Sequence, residues 1–183
     1  MVMIVEHKLS NARFLPSPNC NARPEGVVID LIVVHNISLP AGCFGTPYVE
    51  QFFCNTLDCF ADPSFADLQG LEVSAHLLIK RDGSMVQFVP FDQRAWHAGV
   101  SSFDGREGCN DFSIGIELEG DDVTPYTDQQ YLALGLTVVE LIEAYGIPSS
   151  HIVGHCDIAP GRKTDPGSAF DWAKLRSLLA TLP

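Results

Sequence analysis

The feature that most constrains the fold is a nearly unbroken apolar run from Val27 to Asn36. A stretch this hydrophobic is typical of a central strand that is covered on both faces. Further along the chain, residues Asp128 to Tyr145 repeat apolar side chains at helical spacing, which predicts a long amphipathic helix. Together these segments predict an α/β domain, in which a central mixed β-sheet is flanked by α-helices.

The long helix carries start and stop signals at its two ends. Thr127 and Gln130 have the spacing of a capping box. Gly146 follows as a C-cap residue, and Pro148 prevents the helix from continuing. The bounds of this helix are therefore predicted at Asp128–Tyr145.

The other predicted elements are set off by turn and cap residues. In chain order they are a short helix opened by Thr46-Pro47, a loop over Cys54–Gly70, strands over Glu72–Lys80 and Ser84–Val89, a loop over Ala98–Asp111, strands over Phe112–Glu119 and Ile152–Val153, and a helix from near Ser168 with Asp171 at a capping position. No repeat, linker or low-complexity tract interrupts them, and 183 residues suit one domain. We therefore expect a single domain over residues 1–183.

The strand predicted over Phe112–Glu119 alternates between an apolar face and a face of Ser, Gly and Glu. The apolar face suits packing against a helix layer. The other face suits the floor of a cleft, with Glu117 and Glu119 at one end. Plain solvent exposure gives the same alternation and is common, so the pattern alone leaves both interpretations and both glutamates open.

Charge and hydropathy narrow the function classes. The net charge of −12 argues against a nucleic-acid binder and against docking on an anionic membrane. No segment is apolar and long enough to span a bilayer. Residues Met1 to Lys8 do not resemble a signal peptide, because their apolar run is short and Glu6 interrupts it. We expect a cytosolic protein, with no nucleic-acid or membrane partner and no obligate protein partner indicated.

The six cysteines show no regular disulfide framework, which fits reduced thiols in a reducing compartment. They are Cys20, Cys43, Cys54, Cys59, Cys109 and Cys156. Pairing or metal binding by Cys54 and Cys59, which share a predicted loop, remains an alternative.

Three residues far apart in the chain have the composition of a metal site with an open position. His35 ends the apolar run, while His155 and Asp165 lie in a stretch rich in Pro and Gly. Two imidazoles and one carboxylate would give zinc three protein ligands and leave a fourth position for water, as in catalytic zinc sites. A histidine after a buried strand is commonly only a hydrogen-bonded core residue, so the hypothesis depends on the combination.

Five segments carry a family resemblance, in order and over nearly the whole chain. They are Leu31–Asn36, Val73–His76, Arg94–Gly99, Ser113–Glu119 and Gly154–Gly167. They resemble the zinc N-acetylmuramoyl-L-alanine amidases of the peptidoglycan-recognition superfamily, above all the AmpD type of 1,6-anhydro-N-acetylmuramyl-L-alanine amidase. The resemblance implies cleavage of the amide between anhydromuramic acid and L-alanine of an anhydromuropeptide. It also implies a cytosolic role in cell-wall recycling, with an indirect influence on β-lactamase induction.

The resemblance also implies roles for individual residues. It makes His35, His155 and Asp165 the ligands of zinc (Zn2+). It makes Glu117 and Lys163 the catalytic residues, and it favours Glu117 over Glu119 as the base.

Substrate binding is assigned less directly. Asn36, Trp96, His97 and Arg106 are candidate substrate-binding residues. AmpD-type relatives often have Arg where this chain has Gly108, and Arg106 is a candidate replacement. Because the substrate carries carboxylates, we expect a locally positive cleft that contains Lys163 with Arg106 or Arg162. His76 is expected to support a metal ligand through a hydrogen bond.

Two other function classes stay open on sequence grounds. The first is a non-catalytic binder of peptidoglycan fragments that uses the same pocket. The second is a cysteine hydrolase, in which Cys109 or Cys156 is activated by His97 or His155.

Overall fold

The computed structural model describes residues 3–182, and Met1, Val2 and Pro183 of the expected 1–183 domain lie outside the described residues. The described chain forms twelve strands, which are β1 (Ile4–Val5), β2 (Lys8–Leu9), β3 (Arg13–Phe14), β4 (Cys20–Ala22), β5 (Leu31–Ile37), β6 (Leu77–Ile79), β7 (Met85–Gln87), β8 (Gln93–Ala95), β9 (Ser102–Phe103), β10 (Arg106–Glu107), β11 (Ser113–Glu119) and β12 (Ile152–Gly154). It also forms four α-helices, which are α1 (Tyr48–Phe53), α2 (Asp128–Tyr145), α3 (His155–Ile158) and α4 (Trp172–Leu179). Two 3-10 helices span Pro63–Leu68 and Cys109–Asp111.

Six strands form the central sheet in the order β12-β5-β11-β6-β7-β3. The first four are mutually parallel, β7 is antiparallel to β6, and β3 is parallel to β7. The sheet is therefore mixed, as predicted. Parallel neighbours require long crossover connections, and α2 lies in the crossover from β11 to β12.

Strand β5 confirms the prediction of a central strand, although it begins at Leu31 and not at Val27. The four residues Leu31 to Val34 are fully buried. Ile32 and Val34 belong to the core cluster that contains the buried apolar residues of helix α2. Leu31 and Val33 pack with Ile158 in another cluster. Apolar burial on both faces is what the unbroken hydrophobic run requires.

Helix α2 has the predicted bounds and caps. The Thr127 hydroxyl accepts from the Gln130 backbone N–H at 3.1 Å, and the Gln130 side chain accepts from the Thr127 N–H at 3.1 Å. Gly146 ends the helix with a positive φ of 69°. The stripe of α2 packs on the apolar face of β11, where each fully buried large side chain contributes about 1.5–3 kcal/mol. The packed residues are Ile114, Ile116 and Leu118 with Tyr131, Leu134, Val138 and Leu141.

Two predicted helix starts were wrong, that of α1 by one residue and that of α4 by about four. Helix α1 has Pro47 at its N-cap without a side-chain cap, because the Thr46 hydroxyl donates to the Leu39 carbonyl instead. Helix α4 begins at Trp172 and not near Ser168. Asp171 caps it by accepting from the backbone N–H three residues later.

Other differences concern short elements. The predicted β6–β7 hairpin is present, with Gly83 at φ +82° in its turn, but each strand is only three residues long. The predicted loop over Ala98–Asp111 contains the β9–β10 hairpin. Helix α3 occupies part of a segment predicted to lack regular structure. No helix between residues 3 and 182 has the length and apolar character needed to cross a membrane.

Candidate active site

The predicted metal ligands come together at the carboxyl ends of parallel strands. His35 lies in β5, directly beside Glu117 in the register of β11. His155 follows β12, whose last residue Gly154 pairs with Val34. Ligands of open α/β sheets bind at this edge, so the topology explains why residues so distant in sequence share one site.

Three ligand atoms converge within hydrogen-bonding distance of one another. Nδ1 of His35 lies 3.0 Å from Nδ1 of His155 and 3.0 Å from Oδ2 of Asp165. Nδ1 of His155 lies 3.1 Å from the same carboxylate oxygen. Both imidazoles are buried, and the carboxylate is partly buried.

The protonation of the imidazoles suits a cation between them. Nε2 of His155 lies 3.1 Å from the Ala98 carbonyl, which can only accept, so Nε2 carries a proton and Nδ1 is the nitrogen that faces His35 and Asp165. Burial lowers the pKa of His35 to about 4, so its ring is neutral at physiological pH. Two ring nitrogens and one carboxylate oxygen thus face one another, and a cation between them would be bound by all three.

The geometry fits a divalent ion. Nitrogen and oxygen ligands about 2.0–2.2 Å from one zinc ion lie roughly 3.3–3.6 Å from one another in an ideal tetrahedron. The separations of 3.0–3.1 Å among His35, His155 and Asp165 are a few tenths of an ångström shorter, so small shifts of these side chains let the three atoms share one ion. These three residues can hold a metal and leave further coordination positions open.

Glu117 faces the same site with a carboxyl oxygen to which no described residue forms a hydrogen bond. The residue is 8% exposed, and its Oε2 is buried without a hydrogen-bond partner among the described residues. Burial and then the charge of Asp165 raise the pKa of Glu117 well above its usual value, while Lys163 opposes that shift. A buried carboxylate with a free oxygen and a raised pKa is suited to general acid–base chemistry.

Glu119 shares this strand face but is committed elsewhere. Its Oε1 accepts from the Gly45 N–H at 2.5 Å and its Oε2 from the Arg81 N–H at 3.0 Å. Both bonds hold loops against the end of β11. The geometry therefore leaves Glu117, and not Glu119, with an oxygen free to meet a substrate. Since the whole strand is buried, plain solvent exposure of its polar face was the wrong alternative.

A cavity of about 320 Å3 connects these groups. Its lining combines polar and apolar residues. The polar ones are His35, Asn36, Ser74, His97, Glu117, His155, Lys163 and Asp165. The apolar ones are Ile37, Phe52, Phe53, Leu68, Leu71, Val73 and Trp96.

Comparison with known proteins decides the family. The sequence profile described as N-acetylmuramoyl-L-alanine amidase matches residues 24–168. The chain belongs to this amidase family. The 1,6-anhydro-N-acetylmuramyl-L-alanine amidase AmpD of Escherichia coli (strain K12) is 56% identical over 172 residues, which cover 94% of each chain.

Solved structures agree with this assignment. A crystal structure of a selenomethionine derivative of AmpD matches the amidase with a TM-score of 0.95 and 55% identity, covering 97% of this chain and 99% of that one. The amidase AmiD from Escherichia coli, solved with the substrate anhydro-N-acetylmuramic acid-L-Ala-D-gamma-Glu-L-Lys, matches with a TM-score of 0.61 and 28% identity. That match covers 97% of this chain and 65% of the other.

Three of the four candidate substrate-binding residues of the amidase line the cavity, namely Asn36, Trp96 and His97. The Asn36 amide donates to Asp122 at 2.9 Å, and the Trp96 indole N–H donates to Asn21 at 3.1 Å. These bonds fix the side chains and leave the remaining surface of each to face a ligand.

Arg106, the fourth candidate, lies outside this cavity. Its guanidinium pairs with Asp30 at 3.0 Å and stacks over the Phe112 ring at 4.0 Å, and it does not line the cavity. Its role in binding substrate carboxylates stays a prediction. Arg162 is also engaged, since it donates to the Ala98 carbonyl at 2.7 Å and to the Val100 carbonyl at 2.6 Å.

The cavity of the amidase is not positive by itself. Its charged lining residues are Lys163, Glu117 and Asp165, one cation against two carboxylates. A divalent ion at the three-ligand site would turn this balance positive. Arg162 lines an adjoining cavity that shares Asn36, Lys163 and Asp165, and the locally positive cleft stays a prediction.

His76 does not contact the ligands in the way the sequence suggested. Its Nδ1 accepts from the Gly115 backbone N–H, and its Nε2 donates to the Gln93 carbonyl, both at 3.0 Å. It thus joins β11 to the first residue of β8. Its hydrogen bonds support the floor of the site, and none reaches His35, His155 or Asp165.

Sequence reasoning missed Asp122, which ties two parts of the site together. One carboxylate oxygen accepts from Asn36 and the other from the Thr164 hydroxyl at 2.5 Å. The residues beside these partners are His35 and Asp165. The only sequence signal was an acidic residue shortly after β11, which is too common to identify such a role.

The cysteine-hydrolase alternative finds no support in the amidase. Burial raises the pKa of Cys109, and burial followed by the charge of Asp157 raises that of Cys156. A nucleophilic cysteine needs the opposite shift. All six cysteines are unpaired thiols in the structure.

Gly115 is required by the ring that lies over it. A Cβ at this position would stand 2.4 Å from Cγ of His97. A side chain there would displace the imidazole, whose nitrogens contact His35 and Ser113.

We expect Gly115→Ala to destabilise the protein by about 1–3 kcal/mol, because the added methyl group overpacks a fixed site. Urea denaturation of the metal-free proteins measures the change. Gly146→Ala is a poor control because its φ is positive, so Ala133→Gly on α2 serves as the comparison for an ordinary Ala/Gly difference. A Gly115→Ala protein as stable as the parent would show that the His97 ring can move freely.

Proposed function

We propose that this amidase hydrolyses the amide between anhydro-N-acetylmuramic acid and L-alanine of muropeptides, with zinc held by His35, His155 and Asp165. The observation that carries the proposal is the free Glu117 oxygen in the same cavity as the three converging ligand atoms. The names of the AmpD and AmiD relatives support the substrate class. The donor set of two imidazoles and one carboxylate supports zinc.

The chain's own residues account for the proton transfers. Bound zinc would supply a water of lowered pKa and would polarise the scissile carbonyl. Glu117 accepts the proton of the attacking water as the new C–O bond forms. It returns a proton to the amide nitrogen as the C–N bond breaks, which leaves a lactyl carboxylate and the free amine of L-alanine.

Lys163 is proposed to stabilise the developing oxyanion. It lies in the cavity lining with Glu117 and Asp165, and it is the only cation there. The residue is exposed, so its side chain is accessible to a substrate that enters the cavity. Asn36 and Trp96 are proposed to contact the substrate from the cavity walls.

We expect Lys163→Ala to lower kcat by about 10²–10³-fold, as for the loss of one oxyanion donor. Metal content should stay unchanged, because Lys163 is not a ligand. Single-turnover kinetics with metal analysis of the same sample measure both. Arg162→Ala is the matched control on the neighbouring position, and an equal loss there would point to a disturbed loop and not to oxyanion stabilisation.

We also propose that the reaction serves cytosolic peptidoglycan recycling, with an indirect influence on β-lactamase induction. The anhydro sugar in the names of the relatives supports this setting. Deleting the gene in its host should make anhydromuropeptides with intact stem peptides accumulate in the cytosolic fraction. Unchanged muropeptide pools would contradict the proposal.

Mass spectrometry of an anhydromuropeptide incubated with the enzyme tests the reaction itself. The expected result is release of the intact stem peptide and of anhydro-N-acetylmuramic acid, only when the metal is present. Binding without cleavage would favour the peptidoglycan-fragment binder instead. Cleavage that resists chelators but stops on thiol alkylation would favour a cysteine hydrolase.

A further inference from the structure

We propose that His97 is a positioning residue, which fixes the tautomer and the orientation of the ligand His35. This inference rests on the metal site proposed above and assigns His97 a role behind that site, not at the substrate. The side chain has both ring nitrogens engaged inside the protein, one with Ser113 and one with His35. Only ring carbons remain to face the cavity.

The hydrogen bonds around His97 can run in only one direction. The Ser113 hydroxyl lies 2.5 Å from the Cys109 carbonyl, which cannot donate, so the single hydroxyl proton points there. Ser113 Oγ must then accept from Nε2 of His97 at 3.1 Å. The neutral His97 ring therefore has its proton on Nε2 and a lone pair on Nδ1.

The direction of these hydrogen bonds determines which nitrogen of the ligand His35 carries its proton. Nδ1 of His97 lies 2.9 Å from Nε2 of His35, and because it is an acceptor, Nε2 of His35 must be the donor. The proton of His35 is thereby kept on Nε2, and the lone pair of Nδ1 points at His155 and Asp165. In the other tautomer Nδ1 would carry a proton and could not bind a metal.

The residue that follows His97, Ala98, orients the second imidazole ligand, His155. The backbone carbonyl of Ala98 accepts from Nε2 of His155 at 3.1 Å. The Asn110 side-chain oxygen holds the segment by accepting the backbone N–H groups of His97 at 3.0 Å and of Ala98 at 2.8 Å. Two adjacent residues thus orient both imidazole ligands: the side chain of His97 holds His35, and the backbone carbonyl of Ala98 holds His155.

The packing keeps the His97 ring in the orientation that this requires. The rings of His97 and His35 stand nearly perpendicular, at 86°, with centroids 5.0 Å apart. Gly115 leaves the space that the His97 ring fills. Hydrogen-bond partners that orient metal-binding imidazoles typically change metal affinity 10–100-fold when they are removed.

Zinc affinity of the full-length, metal-free protein tests the role, measured by competition with a chromophoric chelator. We expect His97→Ala to weaken zinc binding about 10–100-fold. His97→Gln should recover much of the loss, because an amide oxygen can accept from His35 while the amide N–H donates to Ser113. His76→Ala is the matched control, since it removes a buried imidazole from the same cluster without touching a ligand.

The control separates positioning from general stability. Both alanine variants should unfold at lower temperature in the metal-free state, but only His97→Ala should lose zinc affinity. Equal zinc affinities for His97→Ala and the parent would overturn the inference. An equal loss of affinity in His76→Ala would overturn it as well.

A second measurement needs no variant. Nitrogen NMR of histidine-labelled, metal-free parent protein reports which ring nitrogen carries the proton. We expect the proton on Nε2 in both His35 and His97, and a proton on Nδ1 of either ring would overturn the inference even if the variants failed to fold. A parent that bound no zinc would refute the proposed function instead, and the ring protonation would still be readable.

Discussion

Glu117→Gln should lower kcat by about 10²–10⁴-fold, the usual contribution of a general acid–base group. The amide is isosteric with the carboxylate but cannot accept the proton of the attacking water. The side chain is not among the three candidate metal ligands, so the variant should keep its metal. Steady-state kinetics and metal analysis of the same preparation give the two results.

Glu119→Gln is the matched control, since this residue lies on the same strand face two positions away. Its carboxylate oxygens accept backbone N–H groups of Gly45 and Arg81. Replacing one oxygen by an NH2 group leaves a donor without its partner, which should cost about 1–3 kcal/mol of stability. Near-normal kcat in Glu117→Gln, or an equal loss in Glu119→Gln, would contradict the assignment of the base.

Glu117→Gln should also change the stability of the protein, in the direction opposite to that expected for Glu119→Gln. Burial raises the pKa of Glu117 in the folded state, so between its ordinary pKa and the raised one the folded protein binds more protons than the unfolded chain. Stability therefore falls as the pH rises through that window. In the presence of a chelator, Glu117→Gln should be more stable than the parent at neutral pH by about 1–3 kcal/mol. Urea denaturation should show this gain disappear below about pH 4, where the carboxyl is protonated in both states.

Elements of the fold that depend on local sequence could be predicted, and those that depend on tertiary contacts could not. Strand β5 and helix α2 were predictable because the apolar run of the strand and the cap residues of the helix are local patterns in the sequence. The start of α1 was not, because the hydroxyl of Thr46 bonds to the distant Leu39 carbonyl. Helix α3 is a single turn, and the N–H of its N-cap residue Gly154 donates to Asp157 at 2.7 Å, a sequence signal too short to stand out.

The site shows the same division. The metal hypothesis needed only residue types, and the family resemblance supplied Glu117 and Lys163, but neither shows what lies behind the ligands. The ordering of His35 by His97 requires β11 to carry a glycine where the ring crosses it, and this is visible only in three dimensions. The position of Arg106 depends on how the β9–β10 hairpin folds towards Asp30, which no local pattern encodes.

Asp165→Ala should abolish metal binding and reduce turnover to background. Two imidazoles remain, but the variant lacks the carboxylate of the three-residue cluster. The anionic ligand offsets the charge of a divalent ion in a buried site, and its loss leaves two ligands where catalytic zinc has three. Metal analysis after dialysis against zinc-containing buffer should find stoichiometric zinc in the parent and little in the variant.

Thermal unfolding with and without zinc gives an independent measure of the same loss. A ligand that binds only the folded state stabilises it by about 4 kcal/mol when its free concentration is 1,000 times the Kd. The parent should show such a zinc-dependent shift, and Asp165→Ala should show none. Because each protein is compared with itself, any direct effect of the substitution on folding cancels. A variant that still gained stability from zinc would show that His35 and His155 hold the ion without Asp165, and the three-ligand site would have to be abandoned.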